Sequence, residues 1–116
     1  MTLIFVFGSN TAGIHGAGSA LHARKHFGAQ AGVGYGPTGH AYAIPTKDRA
    51  LQTLPLDIIA GHVGVFLDHA RIHSDDTFEI VKIGCGLAGY RDHDIGPMFK
   101  GAPSNCQLPL DWERYR

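Results

Sequence analysis

The sequence predicts an α/β domain in which a mostly parallel sheet carries helices on both faces. Three observations predict it. Short apolar runs alternate with longer stretches of helical apolar spacing, the pattern of successive β-α-β units. The first run, Leu3 to Phe7 (LIFVF), is apolar without interruption, as in a strand buried on both faces. Glycine makes up 16 of the 116 residues and gathers in Gly8 to Gly18, Gly28 to Gly39 and Gly84 to Gly89. Glycine costs entropy inside regular elements, so such clusters mark loops that need positive φ or close backbone approach.

After the first strand, GSNTAGIHGAG is a loop, and a helix runs from near Ala17 to about Phe27, stopped by Gly28. GAQAGVGYGPTG is too glycine-rich for any regular element. His40 to Ile44 (HAYAI) is a second strand, ended by Pro45. Thr46 to Leu54 is a polar connection, and Pro55 suits the first position of a helix. Ile59, Val63, Phe66 and Ala70 recur at helical spacing, widened by Ile58 and Leu67, and that helix ends near His73. Thr77 to Ile83 (TFEIVKI) is a third strand, and GCGLAGY a third glycine loop. A short helix over Asp94 to Phe99 and an edge strand over Asn105 to Leu108 complete the order.

Bulk properties narrow the function. A chain of 116 residues fits one domain, residues 1–116, and buries roughly two thirds of its unfolded surface. The formal charge is zero, which argues against a dedicated nucleic-acid binder. A small anion remains a suitable ligand, because backbone amides bind phosphate without basic side chains. The two cysteines, Cys85 and Cys106, form no CxxC pair and read as reduced thiols of a cytoplasmic protein. The opening MTLIFVFGSN is too short and lacks the basic flank of an export signal, and no apolar run is long enough for a membrane helix.

Three candidate loops come directly after strands, and in parallel sheets ligands sit beyond the carboxyl ends of strands. GSNTAGIHGAG opens a helix, so free amides and the helix dipole favour an anion there. It is neither a Walker loop nor a GxGxxG fingerprint, and a loop that merely packs helix on sheet is the plainer reading. Asn10 ends the first strand, where its amide suits a ribose hydroxyl or an Asx turn. His15, between glycines, is available to ligand, solvent or a loop hydrogen bond. Lys47 in PTKD is a phosphate partner, a nucleophile if desolvated, or a plain surface lysine. Cys85 reads as a reactive thiol or, more commonly, a small buried filler. The pairs His22/His26 and His69/His73 have spacing for two metal ligands, but no third ligand is signalled and no metal or other cofactor is expected.

Taken together, these motifs resemble the macrodomain superfamily, which binds ADP-ribose. LIFVFGSNTAGIHGAGSALHARKHFGA is similar to its strand ending in asparagine, glycine-rich loop and helix. YAIPTKDRALQTLPLDIIAGHVGVFLDHA and FEIVKIGCGLAGYRDHDIGPMF look like the branch containing the DNA ADP-ribosyl glycohydrolase antitoxins and the terminal ADP-ribose glycohydrolases. The likeness runs over about residues 3–99, in a truncated form without the earlier GDI-type aspartate that holds adenine. It implies a compact three-layer macrodomain-like fold with a mostly parallel or mixed central sheet.

The resemblance also implies roles. Asn10 matches the asparagine on the distal ribose, and Gly16, Ala17 and Gly18 the loop around that ribose and the diphosphate. Gly84, Cys85, Gly86, Leu87 and Ala88 match the second diphosphate loop, and Lys47 the lysine nucleophile at the anomeric carbon. Gly13, His15, Thr46 and Gly89 complete the candidate ligand-binding set. Ala88 stands where the terminal ADP-ribose glycohydrolases carry an aspartate, which leaves Asp48, Asp92 and Asp94 as candidates for proton transfer. The expected partner is ADP-ribose, a derivative of it or an ADP-ribosylated macromolecule. The expected activity is hydrolysis of an ADP-ribosyl linkage, and the alternative is a sensor or sequestering module without turnover.

Overall fold

A computed structural model describes residues 2–116 and has an α/β fold with one five-stranded mixed sheet. Strands are β1 (Leu3–Asn10), β2 (Gly36–Thr38), β3 (Ala41–Lys47), β4 (Thr77–Ile80) and β5 (Cys106–Gln107). Helices are α1 (Gly18–His26), α2 (Leu56–Ile72) and the single turn α3 (Asp92–Ile95). Two 3₁₀ segments, Gly96–Phe99 and Leu110–Tyr115, come after α3 and β5. The strand order is β2-β3-β1-β4-β5. β1 pairs in parallel with β3 on one edge and β4 on the other, β5 is parallel to β4, and β2 is antiparallel to β3.

The pleat of β1 sorts its apolar run onto two faces. Phe5 and Phe7 pack with Ala20 and Ala23 of α1 and with Ala41 and Ala43 of β3. Alanines on both sides of that contact let α1 lie close to the sheet. Val6, with Tyr42 and Ile44 of β3, faces the larger core built on Ile59, Val63, Phe66, Leu67 and Ala70 of α2. The predicted apolar stripe of that helix is thus its buried face, while Ile58 stays 46 % exposed. Trp112 closes the far end of this core, fully buried against Phe99 with ring centroids 5.6 Å apart.

Several boundaries differ from the sequence expectation, each for a physical reason. β3 does not stop at Pro45 but runs on to Lys47. Phe5 N–H donates to His40 O, so the odd-numbered amides of β3 face away from β1. Pairing with β2 ends at Ala43, so the N–H that Pro45 lacks would have met no ladder partner. The second glycine cluster does contain a strand, because three residues suffice for an edge hairpin on β3. β4 ends at Ile80, not Ile83: Ile83 N–H donates to Val81 O at 2.8 Å, a tight turn that carries the chain off the sheet. The helix expected over Asp94 to Phe99 is α3 continued by a 3₁₀ turn, and the 3₁₀ segment around Trp112 has no counterpart in the sequence reading.

No helix among the described residues is long and apolar enough to cross a membrane. Trp112 gives a test of the core. Trp112→Ala should cost about 3–5 kcal/mol, the usual loss for a buried tryptophan. It should lower the urea midpoint with little change in the slope of the transition.

Candidate functional site

The chain leaves β1 toward β3 by way of α1, and leaves β4 toward β5 by way of α3. Adjacent parallel strands whose connections depart in opposite directions leave a crevice at their carboxyl ends. A cleft of about 450 Å³ opens there, within the range of small-ligand sites. Gly8, Ser9 and Asn10 of β1 form its floor with Val81 to Gly84 beyond β4, and α1 forms one wall. Thr46, Lys47 and Leu51 at and beyond the end of β3 and Gly86 to Ala88 of the third glycine loop form the others. The loops that leave β1, β3 and β4 therefore meet in one place.

The amino end of α1 faces this cleft. Ala17, in the N-cap position with extended backbone, provides no side-chain cap, and Ala17, Gly18, Ser19 and Ala20 all line the cleft. Leu21 N–H donates to Ala17 O, so the amides of Gly18, Ser19 and Ala20 have no acceptor within the helix. Three free amides at the positive end of a helix make a site for an anion. The loop leading to it is held by Asn10: Nδ2 donates to Ile14 O at 2.8 Å, and Oδ1 accepts from Ile14 N–H at 3.0 Å. Asn10 therefore organises the loop, with one N–H and one lone pair left over.

Other predicted site residues separate into two groups. Gly16, Ala17, Gly18, Thr46, Lys47, Gly84, Gly86, Leu87 and Ala88 line the cleft. Gly13, His15, Cys85 and Gly89 do not. Gly13, at φ +70°, lies against the second glycine cluster, where an added Cβ would stand 2.3 Å from Gly32 C. Gly34 meets the same loop from below, its hypothetical Cβ 2.3 Å from Asn10 O. His15 is 2 % exposed, edge-on to Phe7, and Nε2–H donates to Val33 O at 3.1 Å, leaving Nδ1 buried without a partner among the described residues. Gly13 and His15 thus serve the packing of two glycine clusters on each other. Cys85 packs against the larger core, and burial, with Asp92 nearby, pushes its thiol up to about 11. A half-buried thiol held in its protonated form is packed rather than activated.

The third glycine loop is tied to the connection between β3 and α2. Thr53 Oγ1–H donates to Ala88 O at 2.9 Å, and Tyr90 O–H donates to Leu54 O at 2.7 Å. Beneath it, Lys82 Nζ reaches Asp92 at 3.2 Å and also Asp111, and both hydrogen bonds hold its ammonium above the usual lysine range. Asp92 accepts from Trp112 Nε1–H at 3.0 Å as well; that bond and Lys82 hold its carboxyl below the usual range. Asp94 accepts from Arg91 N–H, and Asp48 accepts from the amides of Ala50 and Gln52. All three candidate proton-transfer carboxylates are therefore engaged in holding loops, and no carboxylate among the described residues lines the cleft. Lys47 is half-buried and makes no ion pair among the described residues.

His22 and His26 sit with ring centroids 4.7 Å apart on α1, and His69 and His73 stack at 3.9 Å at the end of α2. Burial and neighbouring His73 hold the His69 imidazole below the usual histidine range. No group of three or more metal-ligating side chains comes together among the described residues. Residues that the sequence reading passed over also line the cleft: Ile14, Ser19, Leu51, Val81 and Lys82. Ile14 and Ser19 lie inside the first motif, but only the turn after β4 brings Val81 and Lys82 to the cleft. Comparison with protein-family models, curated proteins and solved structures gives no match.

Two measurements check these assignments. Gly13→Ala forces a side chain into left-handed backbone against Gly32, so it should cost at least about 1–3 kcal/mol in denaturant unfolding. Gly16→Ala, where an added Cβ meets nothing within 4 Å, should leave stability unchanged. Cys85 stays protonated near neutral pH, so iodoacetamide should label the folded protein far more slowly than the urea-unfolded chain.

Proposed function

We propose that the protein binds an ADP-ribose-type nucleotide in this cleft, with the diphosphate on the free amides of α1 and the third glycine loop. The uncapped amino end of α1, open to a cleft at the strand ends, carries this reading. Lys47 adds to the same cleft a cation that has no ion-pair partner among the described residues, and the volume suits a ligand of nucleotide size. The remaining N–H and lone pair of Asn10 suit a ribose hydroxyl. The resemblance of the three motifs to macrodomains names ADP-ribose among the ligands that such a cleft takes.

A second reading adds turnover, and the position of Lys47 on the cleft favours it. As a neutral amine, Lys47 attacks the anomeric carbon of the distal ribose, the bond to the leaving group breaks, and water later resolves the adduct. That chemistry needs a proton for the leaving group. No side-chain carboxylate among the described residues of the cleft supplies it, so the proton comes from solvent or from the substrate. Binding without turnover is therefore the better-supported function of the two.

ADP-ribose at about a hundredfold excess over its dissociation constant should stabilise the fold by about 2.7 kcal/mol, seen as a rise in Tm. Gly16→Val, which crowds the cleft without meeting protein, should abolish that rise while the variant stays folded. Gly18→Val is a poorer probe, because φ +59° there strains any side chain whatever the ligand does. No rise for the wild type would remove the proposal. Should an ADP-ribosylated DNA base or peptide be hydrolysed, Lys47→Ala and Lys47→Arg should both stop it, since guanidinium stays protonated. Turnover surviving Lys47→Ala would remove the lysine mechanism and leave the binding site intact.

A further inference from the structure

The mouth of the cleft is aliphatic. Ile14, Leu51 and Leu87 line it and are 54 %, 49 % and 78 % exposed, three of the exposed large apolar side chains gathered on one site. Each comes from a different loop, after β1, β3 and β4. Leu51 is held outward against a backbone preference. It is the only non-glycine residue at positive φ among the described residues, at +63°. A branched side chain in that region is strained, and Asp48 imposes it: its carboxylate accepts from Ala50 and Gln52 N–H while its carbonyl accepts from Leu51 N–H at 3.0 Å.

Most polar side chains on the cleft are engaged, Asn10 among them with the backbone of Ile14. Ser9 Oγ–H donates to Gly34 O, Thr46 Oγ1–H to Ser9 O, and Lys82 to Asp92 and Asp111. Free side-chain donors remain on Asn10, Ser19 and Lys47, all at the strand ends and the start of α1. None of the three aliphatic residues at the mouth has a side-chain donor or acceptor. An anion site beside an aliphatic mouth matches a ligand with a diphosphate at one end and a flat ring at the other.

We propose that Ile14, Leu51 and Leu87 hold the base of a nucleoside diphosphate by apolar contact alone, so that the cleft accepts purine and pyrimidine bases alike. The inference rests on the nucleotide reading above and adds the specificity of its base end. Discrimination between bases needs buried polar groups that a wrong base leaves unpaired. An aliphatic surface penalises no particular base edge.

The test is calorimetric titration of the full chain with ADP-ribose, ADP, GDP, UDP and inorganic pyrophosphate. Wild type should bind ADP, GDP and UDP within about fivefold of one another, and pyrophosphate at least about tenfold more weakly, as burial of one ring predicts. Leu51→Gly and Leu87→Ala should weaken all three nucleotides by about five- to twentyfold and leave pyrophosphate unchanged. Leu51→Gly relieves the strained φ, so its thermal unfolding should show that the variant is folded. ADP binding more than about tenfold tighter than both GDP and UDP would overturn base tolerance while the nucleotide reading stands. Unchanged nucleotide affinity in both variants, or binding of ADP-ribose without any of the three nucleoside diphosphates, would overturn the aliphatic base site. Absence of binding by every probe would remove the nucleotide reading and this inference together.

Discussion

Parallel pairing of β1 on both of its edges is the constraint from which the rest of the molecule is arranged. A strand so placed has both faces in the interior, and its residues must be covered above and below. Alanines of α1 and β3 cover Phe5 and Phe7, and the large apolar face of α2 covers Val6. Parallel neighbours also require crossovers, and those crossovers occupy both faces. The carboxyl ends of β1 and β4 stay uncovered, because there the departing chains turn away from each other. The cleft is the consequence of that topology before any particular side chain enters it.

The glycines divide into two kinds of work. One set lets backbone approach backbone: Gly13 against Gly32, and Gly34 against Asn10, where no side chain fits. The first and second glycine clusters are in this sense one packed unit, with His15 buried between them and Phe7 beneath. The other set, Gly16 and Gly86 among them, faces open space on the cleft. Composition counts both sets alike, because the requirement for a bare backbone has the same signature whether the neighbour is protein or ligand.

Charge is likewise set by position. Lys82 and Lys47 both line the cleft, yet among the described residues only Lys82 is neutralised, by Asp92 and Asp111. That network, with Trp112 donating to Asp92, ties the last 3₁₀ segment to the loop at the cleft. Asp48, Asp92 and Asp94 are all engaged with backbone or with this network, which leaves a site of amides, the Lys47 side chain and aliphatic surface. Among the described residues, the lining presents no carboxylate that would repel an anion.

Local sequence determined the parts whose physics is local. The uninterrupted LIFVF, the helical spacing of Ile59, Val63, Phe66 and Ala70, and the glycine loops after strands made the α/β class and the order of its main elements legible. The same loops made most of the cleft legible, since a loop that leaves a parallel strand must lie at that strand's carboxyl end. Tertiary structure decided the rest. Pro45 continues a strand because β2 ends beside it, and residues 36–38 form a strand because β3 offers an edge. Val81 and Lys82 reach the cleft because the chain leaves β4 early, and His15 turns inward because Val33 O waits there. Each of these depends on how the fold sets one segment of the chain against another. A residue's own type carries no record of which backbone group it will meet, and only the folded arrangement supplies it.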